Sequence, residues 1–389
     1  MKHDVQMALL DRMVELRKRG RDQRANGGIS HLSLDPYTNQ EILDRELETV
    51  FSDCPFVAGH VDRVRKPGQY MLSDWNHQPY VVVRGNDGVL RAFLNTCRHR
   101  GAPLVERERD EPLRAFVCPF HGWTYGLDGA LSGMPCAFAF PGINKQDLGL
   151  KELPVTESTG LVWVHPKEDG PLAPIEDLGC FSEDFEHFEL DRYVRYKKTV
   201  TEKKANWKLL IQLNLEGYHV AAVHRNTLAK GYGGFLDHDA EGAHLRILAA
   251  KAHLMDSVRM PKEETNLLDF VQLLYFLFPN TIIIINEHAF SMLRFFPVAP
   301  DRTLYSYELV YLPDRYGGES GQQSLRNRFI YGGVVIGDED FAMAEKVQRN
   351  LHNGVNDTHM LGQEEQLVLF FHESVNKWIG SGPSGQGAR

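Results

Sequence analysis

The chain is poor in cysteine, in net positive charge and in long apolar runs, and each shortage excludes a class of protein. Five cysteines among 389 residues are too few for a disulfide scaffold and are typical of a reducing compartment. A formal net charge of -9 argues against nucleic acid as a partner, because nucleic-acid-binding domains usually carry a basic face. The most apolar stretch, LLYFLFPNTIIIIN, is interrupted by Pro279 and Asn280 and is shorter than the ~20 residues of a membrane-spanning helix.

The N-terminal residues give no sign of a targeting segment. The stretch MKHDVQMALLDRMVELRKRGRDQR carries acids early and lacks an uninterrupted apolar core followed by a small-residue cleavage site, so it is not typical of a secretory signal. Its pattern predicts an amphipathic helix. We therefore expect a soluble, cytoplasmic protein, and 42% hydrophobic residues suffice for a core of two or three domains.

Changes of pattern along the chain predict three segments. Residues 1–51 end in a helical pattern and form an N-terminal helical segment. Residues 52–166 hold short β-branched and aromatic runs such as YVVVRG and GLVWVHP, separated by turn signals, and predict a small all-β domain. Residues 167–389 mix helical patterns with strands. The expected class is α+β, in which the larger domain has an antiparallel sheet flanked by helices.

Two short motifs, C-x-H and C-x-x-H, lie within one span of the all-β segment. Their ligand-type residues are Cys97, His99, Cys118 and His121. Two thiolates and two imidazoles suit either a tetrahedral zinc site or an iron–sulfur cluster in which histidine replaces cysteine on one iron, and the spacing alone does not separate these. A glycine and a proline near each motif predict two tight loops whose N–H groups can point at the bound group.

A second set of ligand-type residues lies in NWKLLIQLNLEGYHVAAVHRN, from Asn206 to Asn226. His219 and His224, with one carboxylate, would form the facial triad by which non-heme oxygenases hold Fe(II) and leave positions open for O₂. Side chains five residues apart point ~140° apart on an ideal helix, so both histidines reach one metal only if the helix is distorted. We predict a π-type or 3₁₀ irregularity, or a helix end, between Tyr218 and His224.

The two motif regions together resemble one family. CRHRGAPL followed by CPFHGWTYGLDG is similar to the signature of Rieske domains. The NWK…EGYHVAAVH stretch is similar to the catalytic motif of Rieske non-heme iron oxygenases, the ring-hydroxylating α subunits. The resemblance implies a [2Fe–2S] cluster with Cys97 and Cys118 on one iron and His99 and His121 on the other. The 18 residues between His99 and Cys118 slightly exceed the family's usual spacing, which we attribute to the charged loop ERERDEPLR.

The resemblance also implies a mononuclear Fe(II) held by His219, His224 and Asp340. Asp340 stands just before the helical pattern FAMAEKVQ, as the third ligand does in the family. Asp338 and Glu339 are alternative acids, because acidic residues at a helix N-terminus commonly serve only as partners of the helix dipole.

Glu216 stands where most relatives have an aspartate that bridges the catalytic histidines to a Rieske histidine of the neighbouring subunit. The longer glutamate resembles the subgroup that acts on carnitine-like amines. Many relatives have Glu-Asn before this carboxylate, whereas this chain has Gln212-Leu213 followed by Asn214, so an amide near the iron is expected to be lost or displaced. We also expect the glycine-bearing stretch 225–244 to be a mobile lid, and His238, His244, His253 and His288 to be structural.

The function implied is that of the terminal oxygenase component of a multicomponent system. Residues 1–51 would pack on the catalytic domain. Electrons from NAD(P)H would arrive through a reductase, with or without a ferredoxin, since the chain has no flavin or nicotinamide fingerprint, which is a G-x-G-x-x-G sequence between a strand and a helix. We expect hydroxylation of an aromatic substrate by monooxygenation or dioxygenation, in a homotrimer with or without a small β subunit. The alternatives are a monooxygenase or demethylase of a quaternary amine, a Rieske electron carrier without oxygenase activity, and a zinc-stabilised binding module.

Overall fold

The computed structural model describes residues 1–20, 28–75 and 77–381, and it divides into two compact units. The small unit is Ser52–Ile175, and the large unit combines Met1–Phe51 with Glu176–Arg389. The N-terminal helical segment thus belongs to the same unit as the C-terminal half, and the small unit ends at Ile175 rather than at the predicted residue 166. The predicted α+β class is confirmed.

In the residues of the small unit that the structure describes, three antiparallel sheets are joined by turns and short 3₁₀ helices. Strand Tyr80–Arg84 is buried along its whole length because its alternate side chains enter two cores, with Val81 and Val83 in one and Tyr80 and Val82 in the other. In sheet order the strands are Val155–Ser158, Leu161–Val164 and Phe56–His60; then Tyr70–Leu72, Tyr80–Arg84, Leu90–Leu94 and Glu152–Leu153; then Phe116–Val117, Thr124–Tyr125 and Leu131–Gly133.

The charged stretch between the two Cys/His motifs is a loop without helix or strand over residues 101–115. The hydroxyl of Tyr70 secures it, donating to the Arg107 carbonyl at 3.1 Å and accepting from the Arg109 N–H at 2.9 Å. The extra residues are therefore accommodated outside the paired strands.

The large unit is built on one seven-stranded antiparallel sheet. Its central strands are apolar on both faces: Thr281–Ile285 and Ala289–Ala299 are almost fully buried, as continuous β-branched and aromatic runs predict. In sheet order the strands are Val194–Lys203, Arg302–Tyr311, Ala289–Ala299, Thr281–Ile285, Val271–Leu277, His244–Lys251 and Tyr232–Glu241. A separate two-stranded sheet pairs Ser30–Ser33 with Thr358–Leu361.

The helices of the chain lie mostly before and after this sheet in sequence. Val50–Asp53 and Pro174–Leu178 cross the divisions between the units. The other α-helices are His3–Arg19, Gln40–Glu48, Phe181–Phe188, Trp207–Gln212, Val220–Val223, Leu267–Phe270, Gly318–Gly332, Phe341–Asn350 and Gln366–Ser381. The helix predicted from the N-terminal pattern is present as His3–Arg19, whereas residues 21–24 of that pattern lie outside the described residues. None of the helices in the described ranges is both long and apolar enough to cross a membrane.

A buried ion pair fastens the N-terminal segment to the NWK motif. The side chain of Asn206 caps helix Trp207–Gln212 by accepting from the Lys208 N–H at 3.0 Å. Glu46 accepts from the Trp207 indole N–H at 2.8 Å and from the Lys208 ammonium at 2.5 Å. The Glu46 and Lys208 side chains are only 0% and 1% exposed, so each charge depends on the other.

The C-terminal helical region differs from the prediction. Gly318–Gly332 continues without a break through a π-helical segment, Gly333–Asp340, into Phe341–Asn350. Asp340 therefore lies inside a long helix rather than just before one. The acidic residues that were expected to mark a helix start occupy the π segment, whose i→i+5 bonding widens the turn.

Candidate metal centres

The two Cys/His loops of the small unit share one backbone arrangement. In the first loop, Cys97 N–H donates to the Ala102 carbonyl at 2.8 Å and Gly101 N–H donates to the Cys97 carbonyl at 2.9 Å. In the second loop, the Cys118 N–H donates to the Trp123 carbonyl at 2.8 Å and the Gly122 N–H donates to the Cys118 carbonyl at 3.0 Å. Gly101 and Gly122 have φ of 79° and 71°, a region that favours glycine, which explains a glycine at the same place in each loop.

These loops bring the four predicted cluster ligands together. The His99 and His121 ring centroids lie 4.6 Å apart, and Trp123 stacks on the His99 ring at 4.8 Å with an interplanar angle of 8°. The Nδ1 atom of His99 is buried and has no hydrogen-bond partner among the described residues. A buried imidazole nitrogen without a proton partner fits a metal ligand, so the loops suit a cluster with thiolates on one side and imidazoles on the other.

The environment of Cys118 favours its thiolate form. Burial raises the pKa of Cys118, but the N–H groups of Phe120 and His121 and the Cys97 thiol together lower that pKa below its ordinary value. The buried hydroxyl of Tyr125 lies 3.4 Å from Cys97 Sγ and accepts from the Arg98 N–H at 3.0 Å. Donors of this kind stabilise negative charge on cluster sulfurs and tune the reduction potential.

In the large unit, the helix that begins at Trp207 in the NWK motif ends at Gln212, ahead of both histidines. Turns follow, and then a four-residue helix, Val220–Val223, with His219 at its N-cap and His224 at its C-cap. The predicted irregularity thus takes the form of helix ends. Because neither histidine lies within a regular helix, both rings can turn to the same side despite the five-residue spacing.

His219, His224 and Asp340 converge on one point. The distances are 3.3 Å between the two Nε2 atoms, 2.8 Å from His224 Nε2 to Asp340 Oδ1, and 3.4 Å from His219 Nε2 to the same oxygen. A metal ~2.1 Å from each of two ligands sets them ~3.0 Å apart at a right angle and ~3.4 Å apart at a tetrahedral angle. The three atoms therefore have the separations that a single divalent ion requires, and they form the candidate iron site among the described residues.

A carboxylate lies behind each histidine. Glu216 Oε1 is 2.5 Å from His219 Nδ1, and Glu339 Oε2 is 2.7 Å from His224 Nδ1. Glu339 also accepts from the Thr227 hydroxyl at 2.6 Å. Each imidazole thus directs Nε2 toward the ligand triangle, the triangle formed by the two Nε2 atoms and Asp340 Oδ1. Its Nδ1–H is directed at a carboxylate, and this hydrogen bond orients the ring and increases its basicity.

The charge balance of this site also favours a cation. Burial lowers the pKa of His219, but the contacts and charges of Asp340 and Glu216 outweigh it and raise the pKa to about 9. His224 behaves alike, because Asp340 and Glu339 overcome the effect of burial and raise its pKa. The negative charge of three carboxylates around two imidazoles is therefore balanced by added positive charge, which a divalent ion supplies in place of protons.

The ligand triangle opens on a cavity of about 480 Å³. Its walls are largely apolar and come from the turn region after Gln212, from strands of the large sheet and from the helix that carries Asp340. A volume in this range suits a small organic molecule.

Several parts of the site escaped sequence reasoning. Glu339 was considered only as an alternative ligand, and its contact with His224 crosses 115 positions of the chain. His253, expected to be structural, lines the cavity. The stretch 225–244, expected to be a mobile lid, is half strand, because Tyr232–Glu241 pairs with His244–Lys251. The adjacent glycines Gly233 and Gly234 made this strand hard to predict, because glycine is uncommon in strands.

The altered sequence before Glu216 also has a structural explanation. The Gln212 side chain points to Tyr37, whose hydroxyl donates to Oε1 at 2.9 Å. Asn214 lines the cavity, and its amide donates to the Leu210 carbonyl at 3.3 Å. An amide is thus present at the cavity wall, shifted two positions along the chain from Gln212.

The fold and these two groups of residues are those of a protein class that combines an iron–sulfur unit with a mononuclear iron unit, and comparison with known proteins identifies the family. The model of the ring hydroxylating alpha subunit (catalytic domain) matches residues 190–381, and that of the Rieske [2Fe-2S] domain matches residues 54–148. The chain belongs to the Rieske non-heme iron oxygenases, and its relatives are their large subunits. This membership confirms the predicted family and implies the predicted [2Fe–2S] cluster and Fe(II).

Relatives of two kinds of known activity are similar to this chain. The large oxygenase component of the naphthalene 1,2-dioxygenase system of Pseudomonas aeruginosa is 34% identical over 206 residues, covering 51% of this chain but only 45% of that protein. The carnitine monooxygenase oxygenase subunit of Acinetobacter pittii is 25% identical over 357 residues, covering 87% and 92%. A solved quaternary ammonium Rieske monooxygenase shares the fold, with a TM-score of 0.79 at 22% identity over 91% of this chain and 97% of that one.

Proposed function

We propose that this protein is the terminal oxygenase component of a multicomponent Rieske oxygenase, which uses O₂ and electrons from NAD(P)H to hydroxylate an organic substrate. The observation that carries the proposal is the convergence of His219, His224 and Asp340 at the wall of a largely apolar cavity. An electron carrier would need only the Cys/His loops of the small unit.

The residues have distinct roles in this proposal. Bound iron supplies O₂ activation at the triad, and the cluster supplies single electrons. His219, His224 and Asp340 hold the mononuclear ion, while Glu216 and Glu339 hold the imidazole Nδ1–H groups and so keep both Nε2 atoms directed at it. The apolar walls exclude water and position the substrate carbon beside the triad.

Glu216 has a second proposed role, as the carboxylate that connects the His219 side of the site to a Rieske histidine of a neighbouring subunit. Its Oε1 faces His219 Nδ1, and its Oε2 accepts from the N–H groups of Tyr218 and His219 at 2.5 and 3.1 Å. These bonds hold the carboxylate at a fixed orientation. The role goes with the proposed homotrimer, in which one protomer's cluster serves its partner's iron.

The electron donor is proposed to be a separate NAD(P)H-dependent reductase, acting directly or through a ferredoxin. None of the five cysteines, all of which the structure describes, forms a disulfide, which accords with a reducing, cytoplasmic location. Both donor routes deliver one electron at a time, as a cluster with histidine ligands requires.

The substrate is proposed to be aromatic, with a quaternary amine as the second candidate. The apolar cavity walls and the naphthalene dioxygenase relative favour an aromatic ring. Glu216 and the nearly full-length similarity to carnitine monooxygenase favour the amine. Product analysis with ring compounds and with trimethylamines separates hydroxylated rings from demethylated amines.

The proposal is tested on anaerobically purified protein. We expect the absorbance and electron paramagnetic resonance of a Rieske cluster, one further iron per chain, and substrate-dependent O₂ uptake with NADH and a Rieske-oxygenase reductase. Asp340→Ala should keep the cluster signal but lose the further iron and the O₂ uptake. A colourless zinc protein, or a cluster protein whose wild type and Asp340→Ala variant bind the same amount of iron, would contradict the proposal.

A further inference from the structure

The helix that carries Asp340 presents one continuous stripe to the cavity. The lining residues on it recur at helical spacing: Arg328, Tyr331, Gly332, Val335, Ile336 and Asp340. At a rise of ~1.5 Å per residue, the Cα atoms of Arg328 and Asp340 are no more than ~18 Å apart along the axis. The stripe thus connects the triad with a cationic side chain farther along the same wall.

The charges that face the cavity are unevenly distributed. Its acidic lining residues, Glu216 and Asp340, both belong to the metal centre. Away from that centre the charged lining residues are Lys251 and Arg328, both cationic. The cavity wall away from the triad therefore carries positive charge with no acid of its own to balance it.

Neither cation is neutralised by an acid within the cavity. Arg328 makes no hydrogen bond or ion pair with any residue in the described parts of the chain. Lys251 donates to the Leu268 carbonyl at 2.6 Å, a neutral acceptor. Burial and the charge of Arg328 lower the pKa of Lys251, against the opposing charges of Asp269 and Glu287. Two like charges near one apolar cavity favour the entry of an anion.

We infer that the substrate carries a carboxylate, which Arg328 binds with support from Lys251 while the substrate's apolar part extends toward the triad. The guanidinium offers a fork of N–H donors that matches a carboxylate. A substrate whose only charge is a quaternary ammonium would be repelled by the two cations of this wall. A zwitterion fits only with its carboxylate end at Arg328.

This inference rests on the proposed oxygenase function, because that function makes the cavity a substrate site. The test therefore measures binding rather than turnover. Three probes share a phenyl ring and a short chain but differ in charge: 4-phenylbutyrate, its neutral amide, and the 3-phenylpropyltrimethylammonium cation. Their dissociation constants are measured by calorimetry on anaerobic holoenzyme.

We expect wild type to bind 4-phenylbutyrate about 10- to 100-fold more tightly than the amide, and the cation least tightly. Arg328→Gln should remove this preference while leaving amide binding within about twofold, and Arg328→Lys should retain part of it. Arg326→Gln is the matched control, since Arg326 is exposed on the same helix and outside the cavity lining, and it should bind as wild type does. Unchanged cluster absorbance and circular dichroism report that each variant is folded.

The inference is overturned if wild type binds amide or cation as tightly as the carboxylate, if none of the three probes binds, or if Arg328→Gln keeps the full preference. These outcomes are separate from failure of the proposed function, which metal content and O₂ uptake decide. A cavity with the expected charge preference in a protein without mononuclear iron would refute the oxygenase and leave the anion site standing.

Discussion

Replacing Glu339 by glutamine removes a negative charge from behind His224 and leaves the side chain the same size. In the structure, Glu339 Oε2 lies 2.7 Å from His224 Nδ1 and 2.6 Å from the Thr227 hydroxyl. The carboxylate strengthens His224 as a ligand because it accepts the Nδ1 proton and stabilises positive charge on the ring. A glutamine oxygen keeps the hydrogen bond but provides no charge.

The loss of such a partner typically weakens metal affinity by about 10- to 100-fold, or about 1.4 to 2.8 kcal/mol. Glu339 is partly exposed, with 20% of its side chain accessible, so solvent screening favours the lower half of this range. Thr227→Val removes only the second hydrogen bond to the carboxylate and should weaken affinity less than Glu339→Gln does.

Fe(II) affinity is measured by anaerobic competition with a chelator, after the mononuclear site has been emptied. The Rieske absorbance should not change, because the Cys/His loops belong to the other unit. Asp338→Asn is the matched control: it makes the same charge change one position earlier, at an exposed side chain. Affinity of Glu339→Gln within about twofold of wild type, or an equal loss in Asp338→Asn, would refute the reasoning.

Three further predictions concern other parts of the chain. Tyr125→Phe should lower the reduction potential of the cluster by about 40 mV, measured by protein-film voltammetry. The reason is that a hydrogen bond of about 1 kcal/mol from Tyr125 to Cys97 favours the reduced form of the cluster. An unchanged potential would contradict this. Glu46→Gln should lower the free energy of unfolding by about 3–5 kcal/mol in urea titrations by leaving Lys208 unpaired, and adding Lys208→Met should recover most of it. Burial lowers the pKa of His244 from 6.5 to about 4, so His244 of the unfolded chain takes up a proton at a higher pH than His244 of the folded chain. Up to about 3 kcal/mol of the free energy of unfolding is therefore lost as pH falls between these values. His244→Asn should flatten this dependence of the free energy of unfolding on pH.

Local patterns were sufficient to predict the small unit. Its turn signals, its short β-branched strands and the glycine in each Cys/His loop all express backbone preferences that act within a few residues. The ligand loops followed from the same signals, since Gly101 and Gly122 adopt the positive φ that their position requires. What could not be predicted was the stacking of Trp123 on His99, which depends on side-chain packing.

The large unit was predictable only where its contacts are local. The spacing of His219 and His224 already required a distorted helix, and the helix ends there supply it. The role of Glu339 could not follow from its neighbours, because its partner lies far away in sequence and the π segment that aims it leaves no composition signal. Strand Tyr232–Glu241 was missed for a related reason: pairing with His244–Lys251 stabilises it in spite of its glycines.

The π-helical segment Gly333–Asp340 makes the iron site depend on chain length as well as on residue type. Glu339 and Asp340 are consecutive, yet one reaches Nδ1 and the other Nε2 of the same imidazole. If this stretch relaxed into ordinary α-helix at its present length, its tighter turns would rotate the two acids by about 100° relative to the preceding helix. Every ligand would still be present in the sequence, but the acids would point elsewhere. Counting residues in this segment is therefore as informative as identifying them when distant homologues are judged for a working site.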